Sequence, residues 1–250
     1  MPNILQARRY PKYKIYRLGR RWQTYWEEGR HYTAPIDPYK ILYVSPHRIN
    51  KKPKEKPTLD SSAPSGVVGG GWDLDTEILS EVSPTHKSIV AHFEEGVDWE
   101  DTEEYQIGVS KVERGDYSFG ISSWGPCKSL ADIDRRFNAI DELYENIKQN
   151  GYHSQKELQS GDGGEMVGDL RKNMRKPPEF REITVDIGRD GEFLWKGGIH
   201  RLTIAKVLDV ETIPVRVRIR HEQWQNIRDR VYEGDDPPQH IDSKHPDLQF

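Results

Sequence analysis

The apolar and polar positions of the chain are patterned most clearly in its second half. Ile133, Phe137, Ile140, Tyr144 and Ile147 recur at the period of an amphipathic helix, which predicts a helix over residues 130–150. Ser129 and Asp132 have the spacing of a variant capping box, and Gly151 stands where such a helix commonly ends. Downstream the period changes to two. Ile183, Val185 and Ile187 alternate with polar residues, Asp190-Gly191 supplies a tight turn, and residues 193–195 return as a partner strand, which predicts a β-hairpin. Gly197-Gly198 then releases the chain into a predicted helix over 199–208 that buries Leu202, Ala205 and Leu208. Residues 213–220 alternate again, with Val215, Val217 and Ile219 on one face and Arg216, Arg218 and Arg220 on the other. A last amphipathic helix, 222–232, carries Trp224, Ile227 and Val231.

The first half is less regular. Residues 41–44 are a short apolar run closed by Ser45-Pro46, which predicts a strand and a turn. Residues 51–66 mix lysines, prolines and serines, a linker composition. Three glycines, Gly69, Gly70 and Gly71, precede Trp72, Asp73, Leu74 and Asp75. This segment reads either as a mobile lid over a site or as a loop pinned by a buried Trp72. Glycines at 161–164 point to an exposed excursion, and the Asp/Pro-rich residues 234–250 to a disordered tail.

Composition sharpens this outline. Hydrophobic residues make up 34% and charged residues 31%, with a mean hydropathy of -0.87, so one main domain with long solvated segments is expected. The single cysteine, Cys127, excludes an intrachain disulfide framework and a multi-cysteine zinc site, and the histidines show no metal-ligand spacing, so no structural metal is expected. No stretch approaches the roughly 20 apolar residues of a membrane span, and the start lacks a secretory apolar core. A cytoplasmic protein without membrane contact is the expectation.

The net charge of -4 hides an asymmetry. In residues 1–30 eight Lys/Arg against two Glu give +6, and in residues 71–104 eleven Asp/Glu against Lys87 alone give −10. The arm, residues 1–35, interleaves its cations with Tyr10, Tyr13, Tyr16, Trp22, Tyr25 and Trp26. Cations beside stacking rings suit single-stranded nucleic acid; they equally suit an arm lying on its own domain, a reading that the acidic segment favours. The row Arg216, Arg218 and Arg220 likewise reads as a solvated strand face or as a polyanion contact, nucleic acid included.

The junction around Gly197-Gly198 carries the most chemistry. A strand, two glycines and a helix start bring free backbone N–H groups, the positive end of the helix dipole, His200 and Arg201 to one point, which makes an anion site. The alternative roles are a capping or core histidine for His200 and a salt bridge to the acidic segment for Arg201.

The ordered series of helix 130–150, hairpin 183–195, Gly197-Gly198-Ile199-His200-Arg201, helix to Leu208 and Ile213-Pro214-Val215 resembles the ParB/sulfiredoxin superfamily. Residues 41–46 would be that fold's first strand. The resemblance spans residues 36–220, with an acidic insertion at about 50–128 that is expected to be peripheral. It implies an α+β fold with a mixed sheet and packed helices, and a glycine turn binding the phosphates of ATP or CTP, with Mg²⁺. Gly197, Gly198, Ile199, His200 and Arg201 would form the phosphate site.

Departures from the family pattern narrow the activity. Sulfiredoxin carries a reactive cysteine in this turn, where Ile199 stands here, so sulfinic-acid repair is not expected. ParB proper has Gly-Glu-Arg-Arg and a following helix-turn-helix domain; Ile199-His200 interrupts that motif and the chain after Arg220 is short. Serine-kinase members use a glutamate near the end of the first strand, where this chain has Ser45-Pro46-His47-Arg48. Phosphoryl transfer or nucleotide hydrolysis therefore needs another carboxylate, and Asp73 or Asp75 beside the glycine run is the choice, with His200 as its catalytic companion. A nucleic-acid-binding protein or nuclease and a non-catalytic interaction module are the competing classes.

Overall fold

A computed structural model describes residues 4–116, 119, 126–160 and 177–250, with side chains from Ile15 onward within them; the expected excursion at 161–164 lies outside the described residues. The alternating run at 213–220 becomes the longest described strand, β7 (Ile213–His221), and its neighbours organise a mixed sheet of seven strands. On one edge it pairs in parallel with β5 (Ile183–Ile187). On the other it takes β1 (Ile41–Val44), antiparallel, and then β3 (Gly66–Val68), parallel. Beyond β5 come β6 (Phe193–Gly197), β2 (Lys51–Pro53) and the edge strand β4 (Thr76–Ile78).

Eight α-helices are described: α1 (Ile4–Glu27), α2 (Leu79–Val82), α3 (Pro84–Glu95), α4 (Glu103–Glu113), α5 (Leu130–Asn150), α6 (Gln155–Ser160), α7 (Ile199–Val207) and α8 (Glu222–Glu233). The capped helix forms as its periodicity dictates: Ser129 Oγ accepts from the Asp132 N–H (3.2 Å), and Gly151 closes α5 at φ 82°. Two apolar cores meet at α7. Leu202 and Ala205 pack with Ile183, Val185 and Val215 of the sheet, while Ile204 joins Ile89, Phe137 and Ile140 of the helical layer. The helix after the glycine pair is thus wedged between the two layers, which fixes its N-terminus in space.

Three expectations are corrected. Residues 50–128 are not a peripheral insertion: they supply β2, β3 and β4, and Leu79 and Ile89 sit fully buried in the two cores. Even the linker-like stretch is pinned, with buried Ser65 donating from Oγ to the Val217 C=O (2.9 Å). Strands of three residues are too short to show a period, so composition alone spoke for this segment. The arm is the helix α1, in which Arg17 pairs with Glu179 (2.8 Å), Arg21 with Asp37 (2.7 Å) and Arg20 with Gln23, none of them with residues 71–104. Within the chain these arginines take the carboxylates within short reach, Asp37 in bidentate fashion, whatever the net charge of segments further off.

The tail is not disordered either. Asp247, fully buried, accepts from Arg220 Nε (2.8 Å) and Nη2 (2.7 Å) and from Trp224 Nε1 (2.9 Å), with Arg228 Nε at 3.1 Å. Ile241 and Leu248 join the sheet core beside it. An acidic, proline-rich composition reads as disorder because the arginines that order it lie in distant elements.

Burial by itself raises the Asp247 carboxyl, but Arg220 and Arg228 outweigh that and hold it well below the usual carboxylate range. Its stabilisation is therefore fully present above about pH 4, the unfolded carboxyl's value, and is lost as the pH falls below it. Asp247→Asn leaves two buried guanidiniums short of their charge partner and should cost about 3 to 5 kcal/mol in equilibrium denaturation at pH 7. The variant should also lose part of the wild type's decline in stability below pH 4; an unchanged midpoint at pH 7 would contradict the tail's structural role.

Candidate functional site

Gly198 caps α7 with φ 86° and ψ 37°, in the left-handed region that glycine alone enters freely. The first intrahelical bond runs from the Leu202 N–H to the Gly198 C=O (3.1 Å), so the N–H groups of Ile199, His200 and Arg201 precede the helical ladder. No side chain caps them in the Asx or Ser/Thr manner. A Cβ on Gly198 would lie 3.1 Å from Ile183 Cγ1 and 3.2 Å from its Cα, so the turn is pressed against the start of β5.

Two buried carboxylates flank this turn, one behind each of its polar side chains. Arg201 Nη1 lies 3.4 Å from Glu182 Oε2, and Nη2 donates to the Arg181 C=O. Glu182 Oε1 also accepts from the Gln155 N–H (2.5 Å). Burial pushes Glu182 up to about 7 although Arg201 and the Gln155 amide oppose it. The neighbouring Tyr152 phenol is pushed up to about 12, chiefly by burial. On the other side His200 Nε2 lies 3.6 Å from Oε1 of Glu104, which is 5% exposed. Glu104 comes from the first turn of α4; it accepts from Thr85 Oγ1 (2.9 Å), and its own N–H donates to Ser88 Oγ (2.9 Å). Its burial is outweighed by His200, Thr85 and Arg136, which hold the carboxyl below its ordinary value. The Oε2 oxygen of Glu104 is buried without a hydrogen-bond partner.

The acidic segment therefore does reach the glycine turn, but through His200 and not through Arg201. Sequence reasoning missed both flanking carboxylates. Glu104 was one acid among eleven, and its only local signal was a helix-starting Asp-Thr-Glu-Glu; Glu182 was a polar residue ahead of an alternating strand.

Asp73 and Asp75 are not brought to the turn. Buried Asp73 accepts from the Arg189 N–H (2.8 Å), Nε (2.9 Å) and Nη2 (2.7 Å), at the closed end of the β5–β6 hairpin. Gly197 lies at the other end of β6, four residue steps from Phe193, a separation of roughly 13 Å along the strand. Asp75 is exposed and pairs with Lys54 (2.8 Å). The glycine run does not make a lid here: Trp72 is buried and donates from Nε1 to the Val68 C=O (3.2 Å), which pins the loop.

The arginine row is neither solvated nor displayed to a polyanion. Arg220 is engaged with Asp247, and Arg218 donates to Asp186 from Nε (3.0 Å) and Nη2 (2.7 Å). Arg216 donates to the Pro64 C=O (3.0 Å), with Phe180 stacked at 4.6 Å. Cys127 is buried at the start of α5, and burial pushes its thiol up, away from reactivity.

Among the described residues no three His, Cys, Asp or Glu side chains gather as a metal ion would require, and no helix is long and apolar enough to cross a membrane. No family model, no curated protein and no solved structure matches the chain.

The two glycines make different demands. Gly198→Ala should cost about 1 to 2 kcal/mol for the left-handed backbone alone, before the Ile183 contact adds to it. Gly197 has open space at its Cβ position and no positive φ, so Gly197→Ala should stay within about 0.5 kcal/mol of wild type. Equal losses for the two in chemical denaturation would contradict the turn geometry.

Proposed function

We propose that this chain is a nucleotide-binding protein of the ParB/sulfiredoxin-like type, seating the phosphates of ATP or CTP on the first turn of α7. The observation that carries this reading is the left-handed Gly198 cap, with His200 and Arg201 in the first turn and a buried carboxylate behind each. The N–H groups of Ile199 to Arg201 would donate to phosphate oxygens along the helix dipole. Arg201 would offset the phosphate charge, with His200 as a second polar contact.

Mg²⁺ usually binds one or two carboxylates together with substrate phosphates. The unpartnered Oε2 of Glu104 fits that demand better than any atom of Asp73 or Asp75. Bound there, the cation would draw negative charge from the phosphates. In phosphoryl transfer or hydrolysis Glu104, kept ionised by His200 and Thr85, would supply the metal-holding carboxylate in place of Asp73 or Asp75.

Arg201 must divide itself between Glu182 and the ligand, so the protonation of Glu182 matters. Below about 7 the Glu182 carboxyl is neutral and leaves Arg201 to phosphate; above it the carboxylate competes. Affinity for ATP should therefore fall as the pH rises through about 7, and Glu182→Gln should flatten that fall. Comparing the two proteins cancels the ligand's own titration, and identical pH profiles would contradict the competition.

Calorimetry with ATP and CTP tests the reading itself. Arg201→Ala, verified as folded, should bind about ten- to a hundredfold more weakly, the equivalent of roughly 1.5 to 3 kcal/mol for a charge-assisted contact. Unchanged affinity in the folded variant, or no nucleotide affinity in the parent protein, would remove the phosphate site.

A further inference from the structure

Helix α1 is amphipathic the wrong way round for a helix lying on its own domain. One polar face of it is turned inward: Thr24 is fully buried, Arg17 meets Glu179, and Glu28, just past the helix end, accepts from Ser61 Oγ (2.5 Å) and the Val67 N–H (3.2 Å). Its apolar residues face out. Ile15 is 71% exposed, Leu18 58% and Trp22 61%, with Trp26 stacked on Trp22 at 6.2 Å. Positions 15, 18, 22 and 26 follow helical spacing, so they form one continuous stripe. A surface helix ordinarily buries such a stripe, and an exposed one of this size marks a docking surface. Arg8, Arg9, Lys12 and Lys14 precede it in the sequence.

A surface of complementary character lies elsewhere on the same chain. Leu74 is 69% exposed, and Ile78 and Val82 are exposed with it, within nine residues that also carry Asp75, Glu77 and Glu81. Lys54 and Lys52 meet Asp75 and Glu77 at the surface, while Glu81 stands between Ile78 and Val82. The wider segment, 71–104, carries eleven acids against one lysine, whereas residues 1–30 carry eight Lys/Arg against two Glu. Within one chain Arg17 and Arg21 are bonded to Glu179 and Asp37, Arg20 donates to Gln23, and the apolar residues of both the stripe and the strip stay exposed, so the two surfaces do not cover each other.

We propose that they meet between copies: the outward stripe of α1 docks on the Leu74 to Val82 strip of a second copy of this chain. Apolar residues on both surfaces supply the buried contact, and the opposite charges set partner and orientation. The aliphatic Ile15 and Leu18 favour a protein surface over nucleic acid, whose bases stack on rings. Because the two surfaces differ, the contact is heterologous. It closes as a pair if exchanged reciprocally and extends into chains if it is not.

Sedimentation and light scattering on the full chain, at low salt and in 0.5 M salt, test this. Self-association is expected at low salt, with a dissociation constant rising at least about tenfold at 0.5 M as the charges are screened. Leu18→Glu and Leu74→Lys are both surface changes that should leave folding intact, checked by the thermal midpoint. Each alone should be monomeric. Mixed together they should form a one-to-one complex, since one supplies an intact stripe and the other an intact strip. A wild type that stays monomeric at low salt, variants that still self-associate, or a failure of the mixture to pair would overturn the proposal. So would a monomer that sediments with anionic phosphatidylserine vesicles and loses that binding in Leu18→Glu, which would assign the stripe to a lipid surface.

Discussion

Arg216 and Arg220 are buried on a strand that has neighbours along both edges, and Arg218 is mostly so; none of the three can hand its charge to bulk water. A guanidinium removed from water needs acceptors in fixed places, or it destabilises the fold by several kcal/mol. Asp186 answers Arg218 from the adjacent β5, and its Oδ1 also accepts from the Ile219 N–H (3.1 Å). Asp247 answers Arg220 and thereby draws the C-terminal tail onto the sheet, while the Pro64 and Pro57 carbonyls answer Arg216 and Arg218. Burial pushes Arg216 and Arg228 down to about 10, which still leaves both charged at neutral pH. The acceptors that β7 demands thus come from β5, from residues 57–64 and from the tail, and these are the pieces that close the sheet around it.

The site follows from that constraint. With β5 held parallel to β7, the β5–β6 hairpin must return the chain to the sheet end where the crossover begins, and there the chain turns through Gly198 into α7. The helix is wedged between sheet and helical layer by Leu202, Ala205 and Ile204, so its first turn is presented at a fixed place. Packing of α3 and α4 against this region then delivers Glu104 to His200. A rigid helix start with polar groups supported from behind is the arrangement that binding an anion requires.

How much of this could be read from the sequence depends on the range of the signal. Helix α5, the β5–β6 hairpin, α7 and β7 each carry a periodic run with its own punctuation, such as Ser129 and Gly151 or Asp190-Gly191, and they form within one or two residues of expectation, β6 running two residues further. The glycine turn was legible for the same local reason. Strands β2, β3 and β4 were not, since three residues cannot display an alternation. The tail and the arginine row were misread because exposure was inferred from polarity, whereas Asp247 and Arg220 satisfy each other across 27 positions. Asp73 looked like a site residue through its glycine neighbours, but Arg189 claims it; the local sequence of Glu104 marked only a helix start, since the packing of α4 is what brings it to His200.

The proposed phosphate seat rests on the first-turn amides of α7. Amides ahead of the helical ladder exchange with solvent readily unless something accepts from them. Hydrogen exchange measured with and without saturating ATP reads them directly. A phosphate seated on the turn should slow exchange at Ile199, His200 and Arg201 while leaving the already bonded interior of α7 little changed. Exchange at those three positions that is indifferent to ATP, with protection confined to other segments, would contradict it.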